Sequence, residues 1–248
     1  MSRSFKVGVL AAAVMAVAPA AQAFEAGNFV VRGGAVHVAP DDSSDSITLG
    51  GNPLFGANLN IQDTRVTVDS NTQLGIRGTY MFTESLGLGL LAATPFKHNI
   101  NATVDGADFG KVGETKHLPP TLTLQYFPMP SSSKFQPYAG IGVNYTVFFE
   151  EKTTGDLTGA VNAEYGAPGN SVTGTSLDLD DSVGVAVELG MDYMLSDNFG
   201  LNAAVWWADI NTDATVTAEF DDGTTAQTDT FEVEIDPMVY MIGMTYKF

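Results

Sequence analysis

The chain has 248 residues, 11 lysines and arginines against 29 aspartates and glutamates, a formal net charge of −18, and no cysteine. Such acidity excludes nucleic-acid binding through phosphate contacts. The missing cysteine excludes disulfides, thiol nucleophiles and thiolate metal sites.

Residues 1–23 read MSRSFKVGVLAAAVMAVAPAAQA. Arg3 and Lys6 make a positive start, Val7 to Ala18 an apolar run, and Ala21-Gln22-Ala23 a small-x-small cleavage site, the pattern of a secretory signal peptide. The alternative, a membrane anchor helix, needs about 20 apolar residues, more than this run provides. The mature chain is then a single domain over 24–248. It keeps nine basic and 29 acidic residues, a formal charge of −20.

Alternation with a period of two dominates the mature chain and predicts eight strands. They cover roughly 28–40, 73–83, 86–98, 117–127, 136–150, 181–195, 199–212 and 232–248. No stretch carries a capped 3.6-residue period. The connections after the second, fourth and sixth segments are short (83–85, 128–135, 196–198). Those after the first, third, fifth and seventh are long, polar and acidic (41–72, 99–116, 151–180, 213–231). Tight turns on one side and long loops on the other describe an all-β, eight-stranded antiparallel up-and-down transmembrane barrel, with periplasmic turns and extracellular loops. A soluble lipocalin-like barrel would bury its apolar face inside. The C-terminus argues against it: Tyr240, Ile242, Met244, Tyr246 and Phe248 form one continuous outward apolar face ending on an aromatic, as a lipid-facing last strand does.

The stretches LPPTLTLQYF (118–127), PYAGIGVNYTVFF (137–149), VGVAVELGMDYMLSDNFGLNAAVWWADI (183–210) and DPMVYMIGMTYKF (236–248) resemble the outer-membrane protein W family, across essentially the whole mature chain. The resemblance implies an eight-stranded barrel in the outer membrane of a Gram-negative bacterium. It also implies passage of small hydrophobic compounds through a narrow apolar interior and, for some members, a receptor role for bacteriocins. The partners implied are outer-membrane lipid, lipopolysaccharide, small hydrophobic solutes, and the barrel-assembly machinery reading the last strand. The acidic loops depart from the family pattern.

The strand period assigns faces independently. Val183, Val185, Val187, Leu189, Met191 and Tyr193 face lipid, so Glu188 and Asp192 point inward. Leu74, Ile76, Tyr80 and Phe82 face lipid, so Gln73, Arg77 and Thr79 point inward, as do Arg32 and Lys247. An eight-stranded interior is filled by side chains, and unpaired buried charges are costly. Arg32, Arg77, Glu188, Asp192 and Lys247 are thus expected to plug the lower lumen as ion pairs. The plug would either simply hold the barrel together or relay protons or ions. Val36, Val38, Leu91, Phe148, Trp206, Ile210, Val239 and Met241 point inward nearer the long loops. They form either a greasy funnel or ordinary core.

Catalytic and cofactor signals are weak. His37, His98 and His117 lie near the outer strand ends and could cluster above the rim. An outer-membrane lipid-modifying enzyme would need them, but no HExxH and no phosphate loop accompanies them. No cofactor or metal is expected. Asp41, Asp42, Asp45, Asp221 and Asp222 lack calcium-loop spacing. The island NPLFGANL (52–59), with Pro53, Leu54, Phe55 and Leu59, is either a hydrophobic entrance or rim packing. Pro95, Pro119 and Pro120 remove ladder donors at similar heights on adjacent strands. Either both strands end there or the wall opens laterally. The reading that unites these features is passive uptake of small hydrophobic molecules through an apolar upper lumen. The alternative is a structural or surface-receptor barrel, for bacteriocin, phage or stress, with a packed interior.

Overall fold

The computed structural model describes residues 24–55 and 61–248. Residues 1–23, expected to be a signal peptide, and Leu59 of the loop island lie outside the described residues.

Eight strands form the wall. We number them β1 (Phe29–Ala39), β2 (Asn71–Met81), β3 (Leu86–Ala93), β4 (Thr121–Tyr126), β5 (Phe135–Thr153), β6 (Ser182–Met194), β7 (Phe199–Ala208) and β8 (Met238–Lys247). Each pairs antiparallel with its neighbours, and β1 with β8, from Val30↔Lys247 to Ala39↔Met238, closes the ring. Closure leaves the ring without a free edge strand, as the lipid demands, since an unpaired backbone group there would cost several kcal/mol. The outward side chains are apolar and exposed: Leu74 and Val183 are each 72 % accessible and Ile242 is 74 %. Phe29, Tyr80, Phe82, Tyr193, Tyr246 and Phe248 ring the turn end, all exposed.

The long connections carry secondary structure of their own. The expected third and fourth strands break after Ala93 and before Thr121, and the intervening chain folds back as a hairpin, Phe96–Val104 against Ala107–Leu118. Asp105 and Gly106 both take positive φ at its tip, the Asp-Gly two-residue turn that favours such hairpins. Thr64–Val68 extends this sheet on one side and the upper end of β5 on the other. A second outer sheet joins Val172–Leu179, Asn211–Phe220, Phe231–Glu234 and Ser43–Ser44.

The expectation of no helix is also corrected. Helix α1 (Gly155–Tyr165) starts at Thr154, whose side chain accepts from the Leu157 N–H, a standard N-cap. It buries only Leu157, Val161 and Glu164. Two glycines and so narrow a stripe hide it from a periodicity search. Ile47, Leu54, Phe55, Ile100, Phe148, Leu157 and Phe231 belong to one apolar cluster in this outer tier, separate from the cluster inside the barrel.

Candidate functional site

The lumen has two storeys. In the lower one Arg32 chelates Asp192: its Nε donates to Oδ1 (3.0 Å) and Oδ2 (3.1 Å), and its Nη2 to Oδ2 (2.7 Å). Thr245 Oγ1 (2.5 Å) and Asn202 Nδ2 (3.0 Å) donate to the same carboxylate. One tier higher, Arg77 Nη2 donates to both oxygens of Glu188, at 2.6 Å to Oε2. Glu188 also accepts from Gln125 Nε2 (2.7 Å), Thr123 Oγ1 (3.0 Å) and Trp206 Nε1 (2.6 Å). Both ion pairs are fully buried. Several donors on each carboxylate are what make burial of charge tolerable. Lys247, expected in this plug, stands half-buried at the lower edge, where Asn198 holds its backbone.

Tyr138 ties the tiers together. Its hydroxyl accepts from Arg77 Nη1 and Asn202 Nδ2, both at 3.0 Å. Its ring centroid is 5.1 Å from the guanidinium carbon of both Arg32 and Arg77, within cation–π range. Glycines make the space. A Cβ on Gly190 would lie 2.3 Å from the Tyr138 ring, and one on Gly140 2.7 Å from Glu188. The parity that points Phe148 inward also points Tyr138 inward, and Thr121, Thr123 and Gln125 share an inward parity on β4. Polar uncharged residues carry no signal louder than that.

Above Glu188 the lumen turns apolar. Val36, Val38, Leu91, Trp206, Val239 and Met241 are all buried inside the barrel, while Phe148 and Ile210 are buried in the tier above. Trp206 belongs to both worlds, since its ring walls the apolar space and its N–H bonds the plug. A small cavity of about 20 Å³ lies over it, bounded by Val36, Leu91, Phe96, Pro119 and Val239. A second cavity, about 70 Å³, occupies the outer tier among Ile47, Leu54, Phe55, Ile100, Phe148 and Phe231. Leu54 and Phe55 of the loop island thus line the upper cavity, and Pro53 sits half-buried beside them. Among the described residues His117 alone lines both cavities.

His98 and His117 meet there with ring centroids 4.7 Å apart. His37 does not join them: it faces outward beside Tyr240 and bonds Thr72 Oγ1 at 2.8 Å. Burial depresses the His98 pKa, and burial together with His98 lowers that of His117 to about 3. Both rings, which stand above the lipid-facing band, are therefore neutral at physiological pH. Among the described residues no group of three or more His, Asp or Glu is arranged to hold a metal ion.

The proline seam is visible in the ladder. Pairing of β3 with β4 stops at Leu91↔Thr121 and resumes above at Phe96↔His117. Between these points each side holds to its other neighbour. Ala92 and Ala93 stay paired with β2, and the Thr94 N–H donates to Leu74 O at 3.0 Å. Across the gap, Tyr145 N–H donates to Pro120 O (3.0 Å) and Asn144 Nδ2 to Pro119 O (3.2 Å). Asn144 is a residue the strand pattern does not single out. The lower cavity reaches this seam, because Ala93, Pro119 and Asn144 all line it.

A closed eight-stranded barrel with an aromatic ring at its turn end and a folded tier over its other end is an outer-membrane β-barrel. Comparison narrows the class. The model of the OmpW family matches residues 25–248, and the chain belongs to that family. Outer membrane protein W of Vibrio cholerae is 42 % identical over 239 residues, 95 % of this chain and 96 % of that one. The crystal structure of OprG from Pseudomonas aeruginosa superposes with a TM-score of 0.75 at 44 % identity, covering 92 % and 98 % of the two chains. Outer membrane protein AlkL of Ectopseudomonas oleovorans is 26 % identical, over 82 % of this chain and 74 % of its own length. The protein is thus an outer-membrane protein of the Gram-negative type.

Proposed function

We propose that this barrel admits small apolar solutes from the cell surface and releases them sideways into the bilayer. The observation that carries the reading is the apolar space stacked over a shut floor. The outer cavity and the lower one share His117 in their linings, and the lower one is bounded by Trp206, whose indole bonds Glu188 of the plug, and by Pro119 of the seam. A solute entering from above would meet a floor of hydrogen-bonded charge, where desolvation stops it. The β3–β4 ladder is interrupted at the seam, Ala92–Pro95 and Leu118–Pro120, which would be the place to open. Transfer of apolar surface out of water, worth about 25 cal/mol per Å², would drive entry, and no energy source is needed. Lipopolysaccharide would surround the outer tier, the lipid would receive the solute, and the C-terminal strand would address the barrel to its assembly machinery.

The test is entry of radiolabelled decane into cells with and without the protein. Faster entry with the protein supports the reading, and equal rates remove it. Replacing Pro95, Pro119 and Pro120 by alanine restores three N–H donors at the seam and should slow entry towards the background.

A further inference from the structure

The two cavities are apolar, yet their junction holds two imidazoles whose Nε2 atoms are buried without a hydrogen-bonding partner among the described residues. They are exceptional. Every threonine hydroxyl lining the outer cavity is satisfied: Thr64 donates to Leu54 O, Thr115 to Lys116 O, Thr153 to Thr175 O and Thr212 to Asp180 O. Of the buried side-chain atoms left unpaired among the described residues, only those of His98 and His117 belong to residues that line either cavity.

The tautomer of His98 is determined. Its Nδ1 contacts the backbone oxygen of Asp69. A carbonyl only accepts, so Nδ1 carries the proton and the neutral ring presents a bare acceptor at Nε2. No donor satisfies it: the strand neighbours Lys97 and Lys116 alternate to the opposite face and bind Glu114 and Glu150, and the nearby Asp69 carboxylate, which acts on the ring electrostatically, is itself an acceptor. Phe96 lies 5.5 Å from the His117 ring and Phe148 5.8 Å. Apolar walls therefore enclose an acceptor that wants a donor.

We propose that the His98–His117 pair is a recognition site for the head of a hydrogen-bond-donating hydrophobe, an aliphatic alcohol or a phenol. The hydroxyl would donate to His98 Nε2 and accept from His117, while the tail occupies the flanking cavities. The pair would then sort solutes by head group as they pass between the cavities. Hydrocarbons and ethers, which cannot donate, would leave the acceptor unpaired. This rests on the conduit reading above and adds the chemical class of the solute.

The test uses two isomers of equal size, 1-nonanol and methyl octyl ether, titrated into the full-length mature barrel in nanodiscs with ¹⁵N-labelled histidine. The alcohol should shift the His98 imidazole nitrogen and bind roughly tenfold tighter than the ether, which is about 1.4 kcal/mol. In His98→Phe the ratio should fall to about one. In His98→Gln, whose amide oxygen accepts, the preference should persist. Equal binding of the two isomers by the unmodified protein overturns the proposal, as does an unchanged ratio in folded His98→Phe. Entry of both isomers into proteoliposomes is scored separately. If neither enters faster than into protein-free vesicles, the conduit reading fails while the binding ratio still decides the recognition site.

Discussion

Arg32 and Arg77 stand directly opposite each other in the β1–β2 ladder, both fully buried, and yet bind different carboxylates. Like charges across a strand pair repel. Here the chains diverge, Arg32 to Asp192 and Arg77 to Glu188, and the Tyr138 ring lies against both guanidinium groups. Asp192 and Glu188 are four residues apart on β6, so one strand supplies both counter-charges from one face.

The ion pairs make a first prediction. Glu188→Gln leaves Arg77 buried without its counter-charge and should cost about 3–5 kcal/mol, seen as a lower urea midpoint in lipid. It should also raise single-channel conductance in planar bilayers. Joint replacement, Arg77→Met with Glu188→Leu, should recover most of the stability. A double variant no more stable than Glu188→Gln would contradict the assignment.

Trp206→Phe keeps the apolar wall and removes the 2.6 Å bond to Glu188. A hydrogen bond to a charged group contributes about 1.5–3 kcal/mol, and a loss of that size is expected in the same unfolding measurement. No change would mean that Glu188 is satisfied without the indole.

Two glycines should respond oppositely. Gly190→Ala places a methyl 2.3 Å from Tyr138 and should destabilise by about 1–3 kcal/mol through overpacking. Gly159→Ala, in helix α1 with nothing near its side, should stabilise the outer tier by up to about 1 kcal/mol. Hydrogen exchange of the helix amides separates the two outcomes.

Acid should loosen the outer tier through His117. Its pKa falls from 6.5 to about 3 on folding, so the folded protein binds fewer protons than the unfolded chain. The associated stability is complete above pH 6.5 and drains as pH falls towards 3, at up to 1.36 kcal/mol per pH unit. Protease cleavage within 96–118 should accelerate across that window, and less so in a His98→Phe, His117→Phe variant. Glu114, held to about 2 by Lys111 and Lys97, titrates in both proteins and cancels in the comparison. Identical pH profiles would disprove the role of the histidines.

The strand period by itself determined the barrel, its topology and the inward parity of Arg32, Arg77, Glu188 and Asp192, because alternation is a local property that a membrane enforces on every strand. The Asp105-Gly106 turn was equally local, and it contradicts reading 99–116 as a plain loop. What only the tertiary structure decided lies across strands far apart in sequence. Register and closure choose which arginine meets which carboxylate, set Tyr138 between them and leave Lys247 at the edge. The register of the hairpin above the wall brings His98 to His117, while His37, on the outer face of β1, stays apart. The ladder gap beside Pro95 and Pro119 also required both strands in place, since prolines show only which donors are missing and not where the orphaned carbonyls turn. They turn to Tyr145 and Asn144, and the wall there is held from one side only.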